Sequence, residues 1–219
     1  TCSTGPTGST GPPGEINIII ISHYVGGSKG NVPIPKGVTQ VLISAVGGGA
    51  AGILGSTPNS SSGGAAGGSV SSYSILLPLS GGETSFDYTV GKGGIVSISP
   101  AGGHTTITSK PNGLIYFIFN GGTNTPSQGG AVTLNGITVV PVSTGDSNIN
   151  GMFMSGAAGS TITNSGFNSL YKGGNTLYGG GGSQFAPGVT TTNGSLGSGG
   201  QGGNNSTNGG DGFVIFKFE

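Results

Sequence analysis

Few residues of this chain can do acid–base or metal chemistry. It has two histidines, His23 and His104, six carboxylates (Glu15, Glu83, Asp87, Asp146, Asp211 and Glu219) and one cysteine, Cys2. A hydrolytic or metal site needs several such groups brought together. The linear text offers no His-x-x-x-His, no cysteine cluster and no Gly-x-Ser-x-Gly. A Ser-His-Asp site is defined in space, so spacing alone does not exclude it. Two histidines nevertheless leave little to build one from. The chain therefore reads as a non-enzyme, with no catalytic residue, no metal and no cofactor. His104 is expected to make a structural hydrogen bond in its turn, and Asp211 to be a turn residue before Gly212. Cys2, being alone, rules out an intrachain disulfide.

A different chemistry is better supplied. Aromatic faces stack on sugar rings, and amides hydrogen-bond sugar hydroxyls. Phe167, Asn168, Tyr171, Lys172, Tyr178 and Phe185 cluster in loop-like text between residues 165 and 190. Recognition residues concentrate on loops carried by rigid scaffolds, so these six are the candidate receptor-binding residues. The competing reading is that they plug the small core of an insert in the chain.

Composition narrows the partners further. Only 5 % of residues are charged, the formal net charge is zero and every cation is a lysine. Nucleic-acid binding needs several phosphate contacts, so nucleic acid is not an expected partner, and neither is an anionic membrane surface. No apolar run approaches the roughly 18 residues of a membrane-spanning helix, so no membrane insertion is expected. No secretory signal is visible at Thr1, and export is expected to follow processing or assembly.

Glycine accounts for 51 of the 219 residues. Such a composition often means disorder, yet apolar strand-like segments such as 114–119 and 213–218 punctuate it. The first glycines keep strict time: Gly5, Gly8, Gly11 and Gly14 recur every third residue, with prolines between them. That is the collagen signature, because only glycine fits at the crowded axis of a triple helix. Four triplets cannot hold a triple helix alone, so residues 1–15 read as the stub of a longer stalk. Three copies of the chain must then meet in parallel, which makes the protein its own first partner, as a homotrimer. The strand-like run that follows, Ile18, Ile19, Ile20, Ile21 and His23, is the candidate trimer seam. Its four consecutive β-branched residues suggest a strand buried on both faces or shared between chains. At such a seam three copies of His23 would form a pH-sensitive ring or an adventitious metal site.

The remaining text reads as strands and turns. Val32 and Ile34 lie between prolines, which confines them to an edge strand. Strands are predicted over 38–46 and 70–77. A further strand, 84–90, places Phe86, Tyr88 and Val90 on one face at period two. Segments 104–109 and 114–119 form a hairpin about Pro111-Asn112-Gly113, and 131–134 and 137–142 another about Asn135-Gly136. No helix of useful length is predicted. The glycine runs 47–52, 63–68, 179–182 and 199–212 admit two arrangements, ordinary loops or bundled polyglycine II helices of three residues per turn. Gly91-Lys92-Gly93-Gly94 reads as a turn, not a phosphate cradle, since no helix or Gly-Lys-Ser/Thr follows it.

Taken in order, several pieces carry a resemblance. They are Val-Pro-Ile-Pro-Lys-Gly-Val-Thr (32–39), Ala-Val-Gly-Gly-Gly (45–49), Tyr-Thr-Val-Gly-Lys-Gly-Gly (88–94), Gly-Gly-His-Thr-Thr (102–106) and Gly-Gly-Asp-Gly-Phe-Val-Ile-Phe (209–216). Residues 32–219 resemble the glycine-rich domains of phage tail fibres and adhesins. With the Gly-X-Y stub, the chain resembles the collagen-like fibre proteins of giant viruses. The departure is an insert at about 123–178, less glycine-rich than such domains usually are.

The resulting expectation is an all-β protein: a trimeric, antiparallel β-sandwich-like head with glycine-rich loops, preceded by a collagen-like stub. Its parts are the stub (1–15), a linking and seam segment (16–31) and the glycine-rich head (32–219). The resemblance implies a virion-surface, extracellular location and attachment to a host-cell surface receptor, either a glycan or a protein. Two other readings remain open. The head could serve only to trimerise and register a collagen-like fibre, or the chain could be a bacterial spore or cell-surface fibre protein.

Overall fold

The structure is a computed structural model that describes residues 18–53, 63–124, 128–159, 173–182, 193–200 and 206–219. Its strands are β1 (Ile19–His23), β2 (Lys29–Pro33), β3 (Gln40–Val46), β4 (Ser69–Leu76), β5 (Ser85–Thr89), β6 (Thr105–Lys110), β7 (Tyr116–Phe119), β8 (Val132–Leu134), β9 (Ile137–Val140), β10 (Ile149–Asn150), β11 (Phe153–Met154) and β12 (Phe213–Phe218). They make two six-stranded antiparallel sheets, ordered β1-β12-β3-β4-β11-β10 and β2-β5-β6-β7-β8-β9. No helix occurs among the described residues. The expected all-β sandwich is therefore the architecture found.

The alternating patterns explain why these segments pair as they do. In β12, Val214, Phe216 and Phe218 are buried while Ile215 and Lys217 are only partly covered. In β5, Phe86 and Tyr88 point inward, as the period-two spacing predicts, and Val90 just beyond is buried as well. The two inner faces meet through aromatic pairs. Phe86 of one sheet stacks on Phe216 of the other at 5.5 Å between ring centroids, and Tyr73 meets Phe117 edge-on at 5.4 Å. Offset and edge-on contacts of this kind add to the burial of the rings themselves. Asn135 and Gly136 both have positive φ, 50° and 81°, which is the geometry of a two-residue hairpin turn. The insert is no separate unit: β8 and β9 extend one sheet and β10 and β11 the other.

The register gives the sandwich two distinct ends. Ile19 lies opposite Phe218, Phe218 opposite Val41, and Gln40 opposite Leu76. This is the base, where the described chain enters at Ile18 and leaves at Glu219. At the other end His23 lies opposite Val214, and Val46 opposite both Phe213 and Ser69. From that end β3, β5 and β7 run on into glycine, and β4, β6, β8 and β12 emerge from it.

Beyond the strands the glycine segments form a hydrogen-bonded bundle with a repeat of three. Gly47 and Ala50 donate to Gly68 and Ala65, Gly48 and Ala51 to Gly103 and Pro100, and Gly49 and Gly52 to Gly210 and Thr207, at 2.7–3.0 Å. Successive residues thus address three different neighbours in rotation, and each neighbour runs antiparallel. Segment 63–68 does the same: Gly64 and Gly67 donate to Gly200 and Gly197, Ala65 and Gly68 to Thr123 and Asn120, and Ala66 to Ala157. A β-strand has two in-plane neighbours. Three neighbours around one extended segment is the polyglycine II arrangement, so segments 47–52 and 63–68 are not ordinary loops. It also explains the composition. A Cβ on Gly48 would overlap the Lys92 carbonyl, and one on Gly122 the Ala65 carbonyl.

Two local expectations change. Residues 91–94 do not turn. They continue β5 into the bundle, where Gly103 donates to the Lys92 carbonyl and Gly94 donates to Gly49. The run Ile18–Ile21 is not buried on both faces. It forms the first strand of its sheet, and among the described residues β12 is the one strand that pairs with it.

Candidate functional site

Among the described candidates, Ile18 and Ile19 lie at the base of the head and Tyr178 at the bundle end. Among the seam residues, Ile19, Ile21 and His23 share a face with Phe218, Phe216 and Val214, and so point between the sheets. Ile21 packs against the core cluster. Ile18 and Ile20 point the other way, 52 % and 63 % exposed. The collagen-axis glycines Gly5, Gly8, Gly11 and Gly14 lie outside the described residues.

His23 is turned into the head. Its ring stacks on Tyr88 at 4.1 Å and 20°, and its Nδ1 lies 3.0 Å from the Tyr88 hydroxyl. If that hydroxyl donates, the ring proton sits on Nε2, which is buried and has no hydrogen-bond partner among the described residues. Burial lowers the His23 pKa below its ordinary value of 6.5, since desolvation disfavours the charged ring. In the unfolded chain the group binds a proton more readily. The stabilising contribution of the neutral ring is therefore complete above about pH 6.5 and is lost as pH falls through the depressed folded value. Thermal melts should show the melting temperature dropping between pH 6.5 and 5, and this slope should flatten in His23→Phe. An unchanged slope in the variant would assign it elsewhere. Asp87 and Glu219 do not enter that window. Asn31 first and then Lys110 hold Asp87 below its ordinary 3.8, and Lys217 and Gln40 hold Glu219 below 4.5.

The other titratable groups join backbone segments. Asp211 is not a simple turn residue: its carboxylate accepts from Gly93 N at 2.7 Å and Gly26 N at 3.1 Å, tying the β1–β2 turn to the bundle. His104 accepts from Gly121 N through Nδ1 at 3.2 Å, so its structural bond reaches a neighbouring bundle segment. Glu83 was not singled out from the sequence, where nothing marks it. It is buried and accepts from Asn112 N and Leu114 N at 3.0–3.1 Å, fixing the turn between β6 and β7. Thr105 is a second such case: its buried hydroxyl accepts from Gly91 N and donates to Val46 O, joining the two sheets at the edge of the bundle. No cluster of three or more possible metal ligands exists among the described residues.

Of the six candidate receptor residues, Tyr178 is described. Its hydroxyl donates to Val70 O at 2.7 Å, and its ring meets Phe213 edge-on at 4.7 Å. That side chain is committed to the head's own packing. Phe167, Asn168, Tyr171, Lys172 and Phe185 lie outside the described residues. The bundle segments flanking them are described: Gly159 and Gly173 on either side of the first four, Gly182 and Asn193 on either side of Phe185. Gly159 approaches Gly63, Gly173 donates to Gly182, and Gly182 donates to Gly199. These connections therefore start and finish in the bundle, at the end opposite Ile18.

One further apolar feature escaped the sequence reading. A groove of about 320 Å³ lies between the last strands of the two sheets, lined by Tyr73, Val139, Asn150, Gly151, Met152 and Phe153. The groove depends on β9 and β11 lying side by side, which no local pattern in the sequence shows.

A family model of the glycine-rich domain matches residues 23–219. No curated protein sequence matches the chain.

Proposed function

The chain belongs to the glycine-rich domain family, and on that premise we propose that it is the head of a homotrimeric, collagen-stalked fibre on a virion surface, attaching the particle to a host-cell receptor. The observation that carries this reading is the polarity of the head. The described chain enters at the base through Ile18, and the glycine bundle, with the residues that flank the candidate segments, lies at the far end. A fibre that must present recognition loops away from its anchor needs this layout.

The bundle suits the task. Its backbone hydrogen bonds run in three directions and hold several chain crossings without a large side-chain core. Side chains are then free to vary on the connections, as on other loop-bearing scaffolds. Phe167, Asn168, Tyr171, Lys172 and Phe185 supply flat rings, an amide and a cation suited to a glycan.

The test is binding of the labelled full chain to candidate host cells and to a glycan array. The triple variant Phe167→Ala, Tyr171→Ala and Phe185→Ala should weaken binding at least about tenfold, the scale of losing aromatic anchors. Its β-sheet circular dichroism and sedimentation should be unchanged. Undiminished binding overturns the assignment of these residues, and no binding by the parent chain to any surface overturns attachment.

One observation favours a second reading, in which the head serves to register the stalk. β1 follows the Gly-X-Y run and is fixed along five residue pairs to β12, so a folded head holds its stalk strand in one place. In that case removing the head abolishes triple-helix formation and the intact fibre adheres to nothing.

A further inference from the structure

We propose that the outer face of the β1-β12-β3-β4 sheet, at its base, is the surface through which three heads pack about the fibre axis. This rests on the trimeric-fibre reading and assigns it a surface. The face is set by register. Ile18 and Ile20 stand on it beside Lys217 of β12 and Glu219 just beyond that strand, followed by Gln40 and Leu42 of β3 and Leu76 of β4. Leu76 is 76 % exposed, more than Ile18 or Ile20. Half-buried Leu42 and Ile215 connect these side chains across the sheet.

The occupant is a second copy of this chain, because of where the stalk ends. In a triple helix the glycine Cα atoms crowd the axis. The last in-phase glycine, Gly14, precedes Ile18 by four residues, which span at most about 14 Å. Each of three Ile18 residues is therefore held close to the axis, and the surface around it must face the other two copies. The β9–β11 groove is no rival for this position. Five strand spacings separate β1 from β10, about 24 Å.

The polar groups on the face do not oppose burial. Lys217 Nζ pairs with Glu219, and Gln40 Nε2 donates to the same carboxylate. The pair is neutral and its carboxylate is bonded, so packing a neighbour against it strands no single charge, which is the costly case. The division of the isoleucines follows. Ile21 packs against the head's core, while Ile18 and Ile20 serve the assembly.

The experiment is sedimentation of the full chain across a concentration series, with circular dichroism to verify the fold. Ile20→Glu with Leu76→Glu should raise the trimer dissociation constant at least about 100-fold, since each copy would bury unpaired charge. Ile137→Glu with Ile149→Glu, on exposed positions of the opposite edge, should leave it unchanged. If the double variant does not fold, Leu76→Glu alone decides, because that side chain enters no core. A folded outer-face variant that remains as tight a trimer as the parent overturns this inference and leaves the trimer intact. Dissociation by the opposite-edge variant alone overturns it too. A parent chain that is monomeric throughout removes the trimeric reading itself.

Discussion

Gly48→Ala should abolish stable folding, although it adds a single methyl group. The new Cβ would overlap the Lys92 carbonyl, with Gly103 N next nearest. Both are backbone, so no flexible side chain can swing aside. Gly48 also donates to Gly103 at 2.9 Å and accepts from Gly122 at 2.9 Å, and separating the segments to admit the methyl breaks these bonds. Ordinary overpacking costs about 1–3 kcal/mol. Here buried backbone groups lose their partners as well, at about 1–3 kcal/mol each. The expected loss is at least about 4 kcal/mol, much of the 5–15 kcal/mol that stabilises a typical protein. Gly145→Ala is the control: a Cβ there meets nothing within 4 Å, and the change should stay within about 0.5 kcal/mol. Urea unfolding of the two variants measures both. If Gly48→Ala has the parent's midpoint, the close-packed glycine bundle is wrong.

Phe216→Ala should cost about 3–5 kcal/mol, the range for truncating a buried aromatic. Phe216 is fully buried and its ring lies near three others: Phe86 at 5.5 Å, Phe218 at 6.3 Å and Tyr88 at 6.5 Å. Phe86 and Tyr88 belong to the opposite sheet, so the cavity would open between the two layers. Tyr88 also carries the stacked His23 ring, and the loss should loosen β1 at its bundle end. Phe216→Leu should recover most of the stability. Ile98→Ala, at a side chain 79 % exposed, should change it by less than about 0.5 kcal/mol. Denaturant midpoints at constant slope separate these cases. A Phe216→Ala loss no larger than that of Ile98→Ala would mean that the sheets do not pack through this residue.

The strands were legible because their physics is local. Phe86, Tyr88 and Val90 declare an inward face by alternation, and Asn135-Gly136 accepts the positive φ of a tight hairpin wherever it occurs. Proline confined 32–34 to an edge, and β2 is the first strand of its sheet. The glycine runs were legible as material but not as architecture. A residue without a side chain carries no pattern to show which neighbour it will meet, and the three-way ladder from 47–52 joins segments up to 161 residues apart, as Gly49 and Gly210 are. The same limit misplaced Lys92, read as part of a turn when it lies in the bundle.

The anchoring groups differ in the same way. Glu83 stands among turn residues with no motif around it, and only the folded hairpin brings Asn112 N and Leu114 N to its carboxylate. Tyr178 looked like its aromatic neighbours in sequence, until folding placed Val70 O within reach of its hydroxyl. By itself, then, the sequence determined an all-β chain with period-two strands, poor in catalytic groups and headed by a Gly-X-Y run. Those properties reside in composition and in spacings of two or three residues. The tertiary structure alone decided that the glycine segments cross-link in three directions, that His23 faces inward, and that Ile18 and Ile20 share an outer face with Leu76. Each of these depends on sheet register and on backbone meeting backbone across long stretches of chain, and a glycine's partner is written nowhere near the glycine.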